Sequence, residues 1–275
     1  MAERHTELQT SAVGSAFDFT FLGTGTSVGI PMIGCHCPVC SSTDPRDRRL
    51  RTAAYVRLGG QGLLLDAGPD LRAQCLQWQV PRVDAVFITH LHADHIFGFD
   101  DIRRFNTLQG NTVIPCYAGA ETLEGMHRIF PYITTHPNAQ GLYRPLIDFV
   151  PVSAPFEALG AQLTPLPVVH GSFETLGVRI DFAGHSVAYL PDVHEIPRTT
   201  LRLMEGLDLL VLNLLRLREH PTHLTMTAAV DYARQIAAHQ TLFTHLSHDL
   251  LHVDLASRLP AGMGVAYDGL TVSLT

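Results

Sequence analysis

Apolar and polar positions alternate through Phe17-Asp18-Phe19-Thr20-Phe21-Leu22, the two-residue period of a strand with one buried face, and the run stops at Gly23-Thr24-Gly25-Thr26-Ser27. Residues 55–58 and 62–65 predict a hairpin turning at Gly59-Gly60-Gln61. The second of these strands runs into Asp66-Ala67-Gly68-Pro69-Asp70, and a short helix is predicted over 71–79. The apolar run 83–89 predicts a buried strand, with a helix beginning near His95. Residues 111–170 read as short strands alternating with Pro-broken segments. Strands are predicted at 177–182, 187–190, 207–212 and 240–244, and helices at 199–205 and 225–238, the last capped by Thr225 or Thr227. Strands alternate with helices in both halves and no linker separates them. Residues 17–275 therefore read as a single α/β (α+β) domain whose strand-end loops meet in one cleft, preceded by a flexible, polar tail over 1–16.

Composition narrows the class. With 275 residues, 46% of them hydrophobic and 16% charged, the chain has ample material for a core. It holds neither a run of 18 apolar residues nor a signal-peptide core within 1–16, so a soluble, cytoplasmic protein without membrane partners is expected. The net charge of −7 argues against a broad basic surface, hence against a stable nucleic-acid partner. Bound divalent ions would reverse that sign locally, which keeps a small anionic substrate in play. Sixteen histidines against five cysteines suit metal chemistry better than a disulfide scaffold.

That chemistry concentrates in His90-Leu91-His92-Ala93-Asp94-His95, at the end of the 83–89 strand. Residues two apart in an extended segment point the same way, so His90 and His92 can share a metal. Asp94 and His95 follow once the chain has turned and suit a second ion nearby. Such a pair of cations clamps both oxygens of a displacement. Completing two sites takes further ligands, and His170 (before Gly171), Asp192 and His245 each end a predicted strand. His127, His136, His185, His194, His220, His239 and His252 have no comparable context and read as surface or internally satisfied residues.

The set His90, His92, Asp94, His95, His170, Asp192 and His245 resembles the metallo-β-lactamase superfamily. The resemblance implies a four-layer αββα sandwich with a binuclear site between two sheets. By its pattern His90, His92 and His170 would hold one metal, and Asp94, His95 and His245 the other, with Asp192 bridging. Zinc and manganese both suit such a donor set. Asp66 is open to two readings, a turn cap or a carboxylate that fixes the tautomer of a metal-bound histidine.

A second cluster, Cys35-His36-Cys37-Pro38-Val39-Cys40, packs three thiols into one loop. Three neighbouring thiolates repel unless a cation neutralises them, and a tetrahedral structural zinc needs a fourth ligand. His248, three residues after His245, is the choice, with Cys75, Cys116 and His36 as competitors. This loop and the stretch Gly23-Thr24-Gly25-Thr26-Ser27-x-Gly29-x-Pro31-x-x-Gly34 resemble the phosphoribosyl cyclic phosphodiesterases of the carbon–phosphorus lyase pathway.

That resemblance implies hydrolysis of 5-phosphoribosyl 1,2-cyclic phosphate to ribose 1,5-bisphosphate, and a homodimer. Asp94 and Asp192 would serve the reaction as ligand carboxylates, and His223, before the 225–238 helix, would protonate the leaving oxygen. Among Asp100, Asp101, Arg103 and Arg104, an arginine could contact a substrate phosphate, although a solvated or internally paired face is the base expectation. The rivals are a tRNA 3′-processing endonuclease (ribonuclease Z), whose basic Gly/Pro-rich arm is missing here, and a cyclic-nucleotide or oligonucleotide phosphodiesterase. A thioester hydrolase like glyoxalase II is chemically open too. A non-hydrolytic accessory protein resembling the B protein of pyrroloquinoline quinone biosynthesis conflicts with the intact metal set.

Overall fold

The computed structural model describes residues 16–134 and 143–275, and the tail expected over 1–16 lies outside them except for Ala16. Its first half runs β1 (Phe17–Gly23), β2 (Ala53–Leu58), β3 (Gln61–Leu65), α1 (Leu71–Gln77), β4 (Ala85–Phe87), α2 (Ala93–Ile96), α3 (Arg103–Leu108), β5 (Ile114–Ala118), α4 (Ala120–Ile129), α5 (Pro131–Thr134) and β6 (Ile147–Pro151). The second half runs β7 (Phe156–Ala158), β8 (Ala161–His170), β9 (Phe173–Phe182), β10 (His185–Leu190), α6 (Arg198–Arg202), β11 (Leu209–Asn213), α7 (Met226–Ile236), β12 (Gln240–Thr244), α8 (His252–Arg258), β13 (Met263–Val265) and β14 (Thr271–Leu274).

Two sheets of seven strands each form among the described residues, in the orders β14-β1-β2-β3-β4-β5-β6 and β13-β12-β11-β10-β9-β8-β7. Alternation puts one face of each against the other. Phe17, Phe19, Phe21, Leu63 and Phe87 from the first sheet share a buried cluster with Leu163, Val178, Ile180, Tyr189 and Val211 from the second. The opposite faces are covered by helices. Ile96, Phe105, Leu123 and Met126 lie on the first sheet, and Leu201, Ala229, Ala233 and Leu255 on the second. The layers are thus helix, sheet, sheet, helix: the αββα sandwich.

Strand direction collects the chemistry at one edge. β3, β4 and β5 are parallel. β10, β11 and β12 are parallel too, and β8 shares their direction because β9 is antiparallel to both β8 and β10. Ligands in such sheets gather beyond the carboxyl ends of the strands.

The region 111–170 departs from the predicted run of short strands. It contains the ten-residue helix α4, whose Thr122, Leu123, Gly125 and Met126 are buried, and the ten-residue strand β8. Neither Gly119 at the helix start nor Pro165 and Pro167 inside β8 signals continuity, and tertiary packing overrides these weak local cues. The strand β14 and helix α8 escaped prediction altogether. β14 pairs with β1 and completes the first sheet. Among the described residues, no helix is long and apolar enough to cross a membrane.

Candidate metal centres

Asp94 and His95 lie within the one-turn helix α2, and His92 is its N-cap in extended conformation. That short turn is what points the two pairs of side chains in different directions. It is fastened to the loop after β3: Ala67 N–H donates to the His95 carbonyl (2.7 Å) and Gly98 N–H to the Ala67 carbonyl (2.8 Å). Only glycine fits at position 68, where an added Cβ would stand 1.9 Å from the Asp94 carbonyl oxygen. Asp66 and His245 both hold left-handed backbone (φ 63° and 56°), a strain that recurs at functional sites.

The histidines face inward, and neighbouring groups set the proton positions on His90, His95 and His170. Thr89 donates its hydroxyl to Asp66 (3.0 Å to Oδ1) and its oxygen accepts from His90 Nδ1–H (2.9 Å), which leaves His90 Nε2 with a free lone pair. His170 Nδ1–H donates to the Thr222 carbonyl (2.7 Å), freeing its Nε2. His90 Nε2 then stands 2.8 Å from His92 Nδ1, and His170 Nε2 3.3 Å from the same atom. On the other side, His95 Nδ1–H donates to Asp66 Oδ2 (2.8 Å), and its Nε2 faces Asp94 Oδ2 (3.4 Å) and Asp192 Oδ2 (3.0 Å). His245 Nε2 lies 3.7 Å from Asp94 Oδ2 and 3.2 Å from Asp192 Oδ1. Asp192 spans both groups, since its Oδ1 is also 3.5 Å from His170 Nε2.

Three observations fit these residues to cations. The ligand atoms of His90, His92 and His170 lie within 4.8 Å of one another, as do those of Asp94, His95 and His245. His95 Nε2 and Asp192 Oδ2, though 3.0 Å apart, and His245 Nε2 make no aligned hydrogen bond among the described residues, a costly state for buried polar atoms that a ligand between them would relieve. The electrostatics agree. Burial pushes the carboxyls of Asp94 and Asp192 upward, yet the surrounding His95 and His245 outweigh it and hold both well below the usual range. Burial pushes His95 down, but Asp192, Asp66 and Asp94 carry it well above 6.5, so the carboxylates demand positive charge. His90, His92 and His170 are pushed down by burial and stay neutral, the state in which imidazole ligates.

His223 stands at the margin of this cluster. Its Nδ1 is 3.6 Å from Asp192 Oδ1, and its ring lies 4.6 Å from the rings of both His170 and His245. Burial, helped by the neighbouring His245, pushes it down to about 2 against the pull of Asp192. Asn213, fully buried at the end of β11, reaches it at 3.5 Å.

The cysteine loop forms a separate cluster. His248 Nδ1 lies 3.3 Å from Cys35 Sγ, 3.4 Å from Cys37 Sγ and 3.6 Å from Cys40 Sγ. Zn–S and Zn–N bonds at a tetrahedral angle give an S···N edge of about 3.5 Å, so the four fit one zinc ion. A backbone hydrogen bond from Cys40 brings the Cys37 thiol down to about 6, while burial raises Cys40 to about 11. Among the competitors, Cys75 and Cys116 pack in the outer core of the first sheet and His36 is exposed.

Asp66 lies beneath His95, the second of its two readings. Thr89, Thr222 and Gly68 were missed, because a hydroxyl, a carbonyl and a missing Cβ carry no metal signature. The adjacency of Thr222 to His223 was the one available hint. Asp100 pairs with Arg103 on its own segment (2.8 Å), the base expectation for that face. His194 is exposed, His252 packs on Tyr267, and His220 lies 5.0 Å from His223. His136 falls outside the described residues.

Two buried groups of His and Asp ligands between helix-backed sheets form the candidate site. The model of the beta-lactamase superfamily domain matches residues 62–246. A crystal structure of a new diphosphatase from the PhnP family superposes with a TM-score of 0.86 at 40% identity, over 94% of this chain and 97% of that one. The octanoyltransferase of Porphyromonas gingivalis is 35% identical over 254 residues, which are 90% of this chain and 50% of its own, so the chain spans about half of that protein. The Zn(2+)-bound PqqB of Methylobacterium extorquens shares the fold, with a TM-score of 0.73 at 22% identity over 94% of this chain and 100% of that one. The chain belongs to the metallo-β-lactamase superfamily. Within it the chain is PhnP-like.

Proposed function

We propose that the chain opens a small cyclic phosphodiester, 5-phosphoribosyl 1,2-cyclic phosphate, to ribose 1,5-bisphosphate. The observation that carries this reading is the placement of His223 against Asp192, at the edge of the two ligand groups. His90, His92 and His170 would hold one divalent ion, zinc or manganese, and Asp94, His95 and His245 the other, with Asp192 between them. When bound, such ions neutralise charge on phosphoryl oxygens and make water more acidic. The residues supply the rest. Asp66, Thr89 and the Thr222 carbonyl fix the imidazole orientations. A water oxygen bonds to phosphorus, the bond from phosphorus to the sugar 2-oxygen breaks, and His223, held neutral by burial, gives its ring N–H proton to that oxygen as it takes up the proton the water releases. The four residues Cys35, Cys37, Cys40 and His248 would hold a third, structural zinc.

A sugar alkoxide is a poor leaving group that needs this proton, whereas a departing phosphate needs it much less. The likeness to the PhnP-family diphosphatase favours a second reading, hydrolysis of a phosphoric anhydride. Turnover of the cyclic ribose phosphate, a sugar diphosphate and precursor tRNA by manganese- or zinc-loaded protein separates the readings. The cyclic ester is expected to be the best of the three. Preference for the diphosphate supports the second reading, and preference for precursor tRNA overturns both. His223→Ala should depress turnover most for substrates with poor leaving groups. Equal loss for good and poor leaving groups would remove the proton-donor role.

A further inference from the structure

A cavity of about 590 Å³ opens beside the metal cluster, walled by His194, Glu219, His220, His223 and Thr225 among others. It shares His223 with the cluster, so the same imidazole faces Asp192 on one side and this space on the other. We propose that the cavity is the subsite for the hydroxyl-bearing sugar of the substrate, with His220 as a donor and Glu219 as an acceptor. The inference rests on the phosphodiesterase reading above. If His223 delivers its proton to the leaving oxygen, whatever that oxygen carries extends past His223 into this space.

The wall chemistry selects the ligand class. His220 Nδ1 accepts from the Thr222 N–H (3.3 Å), so in the neutral ring the proton sits on Nε2, leaving a fixed N–H donor. Glu219 lines the same cavity, so its carboxylate can serve as an acceptor there, on a loop pinned by Arg216 Nη2–H donating to the Glu219 carbonyl (2.6 Å). A hydroxyl both donates and accepts, and a wall offering one of each suits the free 3-hydroxyl of the cyclic ribose ester. A phosphate dianion would meet the Glu219 charge instead, and no lysine or arginine is among the described residues lining the cavity. The volume is in the range of sites that enclose small molecules. These residues carry no metal-binding pattern, which explains why His220 and His194 read as surface histidines in the sequence.

The test compares ribose 1,2-cyclic phosphate, which has the hydroxyls without a second phosphate, with bis(p-nitrophenyl) phosphate, which has neither. In metal-loaded full-length protein, Glu219→Gln and His220→Gln should each lower the ratio of kcat/KM for the sugar ester over the nitrophenyl ester about tenfold, the scale of one lost specific hydrogen bond. Glu219→Gln leaves the hydrogen bond between Thr222 and His170 alone, so it reads the subsite even if His220→Gln alters metal content. A ratio moving less than twofold in Glu219→Gln overturns the proposal while leaving phosphodiester hydrolysis intact. Failure of the wild type on both esters sinks the phosphodiesterase reading instead. In that case saturation-transfer NMR with methyl riboside still reads the cavity. A transfer signal present in the wild type and abolished by Glu219→Gln supports the subsite, and no signal in the wild type overturns it.

Discussion

The two ligand clusters share histidine but otherwise use different donors, cysteine in one and aspartate in the other. The His/Asp cluster draws on strand-end segments from both sheets, and its buried His95 Nε2, His245 Nε2 and Asp192 Oδ2 make no aligned hydrogen bond among the described residues. The cysteine cluster draws three ligands from one six-residue loop and the fourth from His248, with the thiols all within 3.6 Å of one imidazole nitrogen. An open, multi-carboxylate cluster next to a cavity suits catalysis, whereas four closed S/N ligands suit a structural ion. Beyond residue type, the clusters differ in how many parts of the chain must fold before the site exists.

That contrast can be broken by mutation. Asp192→Ala should lower turnover on the order of 10³-fold, because it removes the carboxylate shared by both ligand groups, while zinc at the cysteine loop stays bound. Turnover and metal content measured together check this, and a joint loss of all metals would erase the distinction. Asp66→Asn should be milder. Asparagine tolerates the left-handed backbone at 66, but it weakens the hydrogen bond to His95, so affinity for the ion at His95 should fall about 10- to 100-fold in a metal titration. Cys37→Ser should act through stability rather than chemistry. Loss of the structural ion should lower Tm by about 10 °C while turnover per folded, loaded molecule changes less than in Asp66→Asn. A calorimetric scan beside the activity assay distinguishes the two.

The same contrast explains what the sequence disclosed. His90 to His95 and Cys35 to Cys40 are local, so side-chain spacing along a strand end or within a loop was enough to see them. His170, Asp192 and His245 were visible because each ends an apolar strand, and β8, β10 and β12 all run to one edge. The supports were invisible for a physical reason. The hydrogen bond between His170 and the Thr222 carbonyl joins residues 52 apart through a backbone atom, which any residue could present. Gly68 matters for the space it leaves, which only the packed α2 turn reveals. In the fold, the hydrophobic alternation of β1 and the glycine turn between β2 and β3 were plain, but the helix α4 was hidden by neighbouring prolines and glycines, and β14 only makes sense once β1 offers it an edge.

The two clusters also meet on one loop, and this gives the smallest expected effect and the sharpest test of their independence. His245 and His248 are three residues apart, and the loop is held from below by Arg49, 1% exposed. Arg49 Nη1–H donates to the Ser247 carbonyl (2.7 Å), and Nη2–H to Asp47 Oδ1 (3.0 Å), whose same oxygen accepts the His252 N–H (2.7 Å). A planar fork makes those bonds at fixed angles, and lysine keeps the charge but not the fork. Arg49→Lys should therefore cost about 1–2 kcal/mol, lowering Tm by a few degrees. Because the loop carries one ligand of each cluster, metal affinity should decline at both together, each by less than tenfold. A decline confined to the cysteine loop would mean that His245 is held by β12 alone, and that the two clusters are mechanically separate despite sharing a turn.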